Sequence, residues 1–334
     1  MHLALPVWFE IGSMVVLLLI LAADLLIVIR RPHVPTLREC ALWVGFYVGL
    51  ALIFAVLMLV IGDGEHASQF IAGWLTEYSL SIDNLFVFVI IMARFSVPAK
   101  LQQEVLMIGI VIALVLRGVF IILGAQLIEN FSWIFYLFGA FLLVTAYRQV
   151  FSDEAEAEGT KDNLFIRAIR RRVRLTNTFD GSKLRTVVDG RRVFTPMLIV
   201  FLAIGSTDLL FALDSIPAIF GITQSPFIVF TANIFALMGL RQLYFLLGGL
   251  LKRLHYLKHG VAIILAFIGV KLVLHAMHVN ELPFINGGQS IAWAPEIDTL
   301  TSLFVILGTM ALATIASLIR ARLEARRGER AAEF

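Results

Sequence analysis

Apolar runs of about twenty residues, the length that crosses a hydrocarbon core, recur along the whole chain with short polar turns between them. The pattern predicts nine transmembrane helices, near residues 7–29, 39–61, 69–93, 102–124, 131–150, 196–220, 226–249, 259–278 and 299–319. Charges in the turns give an independent check. Residues 30–38 carry Arg30, Arg31 and Arg38, whereas 62–68 carry Asp63 and Glu65 and no Lys or Arg. Arg94 and Lys100 flank the next turn, and 125–130 offers only Glu129. The long loop 151–195 holds Arg170, Arg171, Arg172, Arg191 and Arg192, while 221–225 is uncharged. Lys252, Arg253 and Lys258 follow, then the acidic segment 279–298, then a tail with Arg320, Arg322, Arg326 and Arg327. Basic turns alternate with neutral or acidic ones, so the positive-inside rule predicts an external N-terminus and a cytoplasmic C-terminus.

Composition removes the soluble alternatives. Of 334 residues, 60% are hydrophobic and 15% charged, against about 25% charged in soluble domains. The net charge of +3 belongs to turns that topology already explains, so no nucleic-acid partner is expected. One cysteine, Cys40, excludes an intrachain disulfide and a Cys-based metal cage and reads as an inert thiol. Arg30 and Arg31 come after the first apolar run, which is the pattern of a retained first span, not a cleaved leader. The expected fold is therefore an all-α polytopic membrane domain over 1–334. It divides into two leading helices (1–68), a first repeat (69–150), a cytoplasmic loop (151–195), a second repeat (196–278) and a closing loop, helix and basic tail (279–334). Loop 151–195 reads as an acidic cluster, Asp153 to Glu158, followed by a basic, partly helical linker suited to anionic headgroups. Segment 279–298, with Pro283, Gly287, Gly288 and Pro295, reads as an external loop. Trp74 and Trp133 are expected in the aromatic belt.

Two polar stretches interrupt this apolar background. Glu77-Tyr-Ser-Leu-Ser-Ile-Asp83-Asn84 falls in the third span, and Asp208-Leu-Leu-Phe-Ala-Leu-Asp214-Ser215-Ile-Pro217 in the sixth. A carboxylate at the bilayer centre costs about 2.5–3.5 kcal/mol on insertion scales, so four in two matched pairs point to a cation pathway. The spacing also marks a repeat. Thr76 and Glu77 align with Thr207 and Asp208, Asp83 with Asp214, Arg117 with Arg241 and Gly124 with Gly248. The predicted topology sends span three inward and span six outward, so the copies form an inverted repeat with its site at mid-membrane. A six-residue step turns a helix by about 240°, which places Glu77 with Asn84 and Asp208 with Ser215 on shared faces. Either each helix presents a wide polar face, or it unwinds between its acids. Pro217 favours unwinding in span six by freeing the Leu213 carbonyl.

Oxygen ligands of this kind suit Mn²⁺, Mg²⁺ or Ca²⁺, and the same carboxylates have the capacity to carry protons. Structural readings stand beside this one. The acids pair with Arg117, Arg241 or Lys271 within the spans; Asp24 sits near an interface; Asn233, Gln242 and Ser206 tie helices together; His275 and His278 are interface residues.

The two motifs, in order and each mid-span, resemble the two signatures of the TerC family, and the layout resembles its Alx branch over roughly 7–320. The resemblance implies a bacterial inner-membrane protein related to the lysine-exporter superfamily, and the TerC family's role is Mn²⁺ export. It carries the metal-site assignment to Glu77, Asp83, Asp208 and Asp214, with Asn84 and Ser215 beside them. The expectation is a secondary transporter, with Mn²⁺ as cargo rather than cofactor, protons as a coupling ion and the bilayer as surroundings. Transport of another cation or small solute, and a scaffold for membrane or exported proteins, are the alternatives. No GxSxG, HExxH or P-loop is present, so no enzyme is expected.

Overall fold

The computed structural model describes residues 5–30, 35–131, 133–151, 176, 179–188, 191–247, 256–283, 285–291 and 293–332. The helices among them are α1 (Val7–Arg30), α2 (Leu37–Ile61), α3 (Gly64–Arg94), α4 (Ala99–Asn130), α5 (Ile134–Phe151), α6 (Met197–Phe220), α7 (Pro226–Leu237), α8 (Leu240–Leu247), α9 (Leu257–His278) and α10 (Thr299–Ala332). Eight segments among the described residues are long and apolar enough to cross a membrane, with α7 and most of α8 forming one of them. They coincide with eight predicted spans. The other predicted span is α3, a 31-residue helix whose polar motif lowers its hydropathy.

Surface and interior are inverted relative to a soluble bundle. Ile53, Val56 and Val60 on α2, Val115 and Ile122 on α4, and Phe304 and Leu312 on α10 are all more than half exposed. Thr76, Glu77, Arg117, Thr231, Asn233 and Gln242 are buried. That distribution is stable where lipid, not water, bathes the outer face. Local chemistry sets the helix starts. Thr36 and Glu39 form a reciprocal capping box for α2, Asp63 caps α3, and Ser225 caps α7 ahead of Pro226 in its first turn.

Several expectations are corrected. Helix α6 runs unbroken through Pro217, and α3 is unbroken across its motif, so neither unwinds between its acids. The interruption falls in span seven, at Met238 and Gly239, where Gly239 takes φ +86. That conformation suits glycine, and the two half-helix ends it creates leave backbone groups without intrahelical partners. In the loop 151–195, Arg185–Val188 and Arg191–Phe194 pair antiparallel as β1 and β2, while the partly helical linker expected there falls mainly on residues outside the described ones. The acidic cluster and Arg170–Arg172 lie outside the described residues. Trp74 is buried in the bundle and not in a belt, whereas Trp133 is exposed.

The main packing runs between the triplets α3–α4–α5 and α6–α7/α8–α9: α5 lies on α9, α3 on α7, and α4 on α6. Exchanging the triplets maps this set onto itself, as two-fold-related copies require. Helices α5 and α9 show it in detail. A Cβ at Gly139 would meet Gly269 O at 2.8 Å and Val273 Cγ2 at 2.6 Å, and one at Gly269 would meet Gly139 O at 3.0 Å and Leu143 Cγ at 3.0 Å. Gly139 and Gly269, like Leu143 and Val273, are 130 residues apart, so each contact is the exchanged copy of the other. Backbones approach this closely only where both residues lack a side chain. Helix α2 packs on α3 and α8, and α10 on α3 and α9, flanking the doubled core.

Candidate functional site

Helices α3, α4 and α6 each bring one charged side chain to a common point inside the bundle. Glu77 from α3 is fully buried, Asp208 from α6 is 2% exposed and Arg117 from α4 is 1% exposed. Arg117 Nη1 donates to Glu77 Oε2 at 2.5 Å, and Nη2 lies 3.6 Å from Asp208 Oδ1. One guanidinium thus bridges the first acid of each motif, joining the two repeats. The planar fork of arginine suits two carboxylates at once.

The cluster is incompletely satisfied. Glu77 Oε1, Asp208 Oδ2, Arg117 Nε and Ser215 Oγ are buried without a hydrogen-bond partner. Of the neighbouring hydroxyls on α3, Thr76 donates to Ala72 O at 2.8 Å and Ser79 to Leu75 O at 2.6 Å, while Ser81 Oγ is buried without a partner. Unmet buried oxygens are costly unless something else engages them. Two carboxylates against one guanidinium leave a net negative charge, with free oxygens from α3 and α6 available to a hard cation.

The six predicted site residues divide as follows. Glu77 and Asp208 come together through Arg117. Asn84 and Ser215 are buried, each two turns beyond its partner acid and on the same face by helical geometry. The backbones of Asp83 and Asp214 lie within α3 and α6, but their side chains fall outside the described residues. Among the described residues, no three His, Cys, Asp or Glu side chains gather as a metal cage. Arg117 was visible in sequence as a charge within a span, but its bridging role was not. The expectation of a carboxylate–arginine pairing holds for this residue.

Its repeat counterpart behaves differently. Arg241, at the start of α8 just after the break, donates to Asp24 Oδ1 of α1 at 3.0 Å. Asp24, expected at an interface, is instead a largely buried partner with 14% side-chain exposure. Lys271 donates to Ser302 Oγ at 3.0 Å. Ser206 bonds Ala203 O within its own helix, and the side-chain amides of Asn233 and Gln242 have no partner, so none of the three forms the expected tie between helices.

A cavity of about 840 Å³ opens at the bundle end predicted to face outward, lined by Glu65, Gln69, Thr223, Lys271, His275 and Asp298 among others. Thr223 Oγ1 donates to Gln69 Oε1 at 2.6 Å at its wall. Glu77 lies eight residues further along α3, about 12 Å of helix. Hydrogen bonds from Thr301, side chain first and backbone N–H after, hold the Asp298 carboxyl below its ordinary range, so this wall of the cavity stays negative at neutral pH. His275 Nε2 lies 3.2 Å from Gln224 Nε2, and His278 Nε2 lies 3.5 Å from Glu296 Oε1.

Comparison with known proteins agrees with this architecture. The integral membrane protein TerC family matches residues 62–325. An uncharacterized membrane protein of Mycobacterium tuberculosis is 46% identical over 93% of this chain and 80% of its own length. An uncharacterized membrane protein of Myxococcus xanthus is 38% identical over 93% of this chain and 92% of its own. Alx of Escherichia coli K12, described as a candidate membrane-bound redox modulator, is 42% identical over 79% of this chain and 84% of its own. No solved structure matches the chain.

Proposed function

This chain belongs to the integral membrane protein TerC family, and on that footing we propose that it is a secondary transporter exporting Mn²⁺ from the cytoplasm across a bacterial inner membrane. The observation that carries the proposal is the meeting of Glu77 and Asp208, one from each repeat, with buried oxygens left unpartnered. Asp83 and Asp214, one further turn and a half along the same helices, complete the oxygen set with Asn84 and Ser215. Hard divalent cations take carboxylate, amide, hydroxyl and carbonyl oxygens. A site at the interface of two repeats is exposed to either side as one repeat rocks against the other. The carboxylates of the set that Arg117 does not engage take up protons as the ion departs, so a proton gradient drives export.

The description of Alx as a redox modulator does not translate into thiol chemistry here. The single cysteine, Cys40, is buried, and thiol exchange needs an accessible thiolate and a second sulfur.

Mn²⁺ flux in proteoliposomes tests the reading, under an imposed pH gradient and separately under a membrane potential. Wild type is expected to move Mn²⁺, and Asp83→Asn and Asp214→Asn, folded to the same extent, are expected to abolish flux. A wild type that moves no Mn²⁺ under either gradient sinks the exporter assignment, as do acid-neutralised variants that transport normally.

A further inference from the structure

Resting on the transport reading above, we infer that Arg117 is the resident cation of the empty site, competing with the cargo ion for Glu77 and Asp208 and driving its release. The guanidinium already sits where a divalent ion would balance the two carboxylates, 2.5 Å from one and 3.6 Å from the other. It is 1% exposed, and an arginine side chain does not lose its proton in a protein. The charge can therefore leave the acids only by moving. A buried carboxylate pair without a counter-charge is strongly unfavourable, so a transporter that returns empty through lipid needs a substitute cation at this point. Arg117 supplies it and crosslinks α3 to α6 while the site is empty. The bare Glu77 Oε1 and Asp208 Oδ2 remain for the arriving ion. As the ion binds, its double charge outcompetes the guanidinium; as it leaves, Arg117 returns and closes the acids behind it.

The second arginine provides an internal comparison. Arg241 occupies the equivalent sequence position but is held by Asp24 of α1 at 3.0 Å, and among the described carboxylates it pairs with neither Glu77 nor Asp208. Sequence symmetry therefore predicts two equivalent arginines, and the structure gives one to the acids and one to the leading helix. Arg117 acts on the ion through the carboxylates, which makes it a positioning and release residue rather than a ligand.

The test measures Mn²⁺ binding to the purified full-length chain in detergent, reading free Mn²⁺ by its paramagnetic resonance, for wild type, Arg117→Gln, Arg117→Lys and Arg241→Gln. Removing a unit charge a few ångströms from a divalent ion is expected to lower Kd by about tenfold or more in Arg117→Gln. Arg117→Lys keeps the charge but loses the fork, and its Kd is expected to fall between those of wild type and Arg117→Gln. Arg241→Gln loses a buried arginine elsewhere and leaves Kd unchanged. In proteoliposomes Arg117→Gln is expected to show a lower KM together with a lower kcat, because the ion is held more tightly and released more slowly. Should Arg117→Gln fail to fold, Glu77→Gln is compared with Glu77→Gln/Arg117→Gln, where the second change is expected to tighten binding in the same direction. Binding that is unchanged or weaker in the Gln variants makes Arg117 a structural clamp and overturns the inference, while a wild type that binds Mn²⁺ normally leaves the transport reading standing. A wild type that neither binds nor moves Mn²⁺ removes both.

Discussion

Replacing Gly139 by alanine adds one methyl group at the place where the two repeats touch backbone to backbone. The new Cβ would lie 2.8 Å from Gly269 O and 3.1 Å from Val273 N, with Val273 Cγ2 at 2.6 Å. Ordinary contact begins at 3.4 Å, so α5 and α9 must separate by roughly half an ångström, because a side-chain rotation cannot move a backbone oxygen. Alanine gains about 1 kcal/mol over glycine in helix propensity, and overpacking costs about 1–3 kcal/mol, at the upper end against backbone, for a net loss of about 2 kcal/mol. Gly49 on α2 has nothing within 4 Å of its Cβ position, so Gly49→Ala is neutral or stabilising by up to about 1 kcal/mol. Unfolding of the purified chain in mixed micelles, titrated with a denaturing detergent, reads both variants on one scale. The exchange symmetry adds a second requirement: Gly269→Ala, facing Gly139 O at 3.0 Å and Leu143 N at 3.2 Å, should cost a similar amount. A Gly139→Ala protein as stable as Gly49→Ala, or a Gly269→Ala protein that pays no penalty, refutes the claim that these glycines lie at the two-fold contact.

Two further outcomes follow from the ion pair on α1 and the cap of α3. Asp24→Asn leaves the Arg241 charge without its carboxylate and is expected to destabilise the chain by about 3–5 kcal/mol, with much of the loss recovered in Asp24→Asn/Arg241→Gln; thermal unfolding reads both, and a single-variant cost near zero contradicts the pairing. Asp63 accepts from the His66 backbone N–H at 2.9 Å, which, with the His66 ring behind it, holds the Asp63 carboxyl below its ordinary range. A depressed carboxyl contributes stability that is fully present above its unfolded pKa and lost as pH falls through its folded pKa. Asp63→Asn keeps an acceptor but does not titrate, so its stability relative to wild type should improve on acidification across that window, while Asp63→Ala costs about 1 kcal/mol at neutral pH through the lost cap. A wild type and Asp63→Asn difference that is flat from pH 7 down to pH 3 contradicts this account.

Hydropathy determined the helical class and the positions of eight apolar spans from the sequence alone, because lipid admits few backbone arrangements and each must satisfy its own hydrogen bonds. The paired motifs were legible for a related reason: a carboxylate in an apolar run has no inexpensive explanation, and its recurrence at equal spacing survives the divergence of two copies. What sequence could not decide is which charges meet. Arg117 and Arg241 occupy matching positions, yet one bridges Glu77 to Asp208 and the other reaches Asp24, 217 residues away in the chain. Pairing is a property of distances between helices, and periodicity within a helix carries no information about them. The break was misplaced for the same reason. Proline predicts a lost hydrogen bond at Pro217, but α6 continues through it, and the chain yields instead at Gly239, whose φ of +86 suits glycine and where an added Cβ would lie 3.2 Å from Tyr47. Trp74 reads as an interface anchor by its position near a span end and turns inward because α3 packs against several other helices, α7 and α2 among them. One-dimensional pattern fixes what must lie in lipid; only the packed bundle fixes which polar groups share its interior.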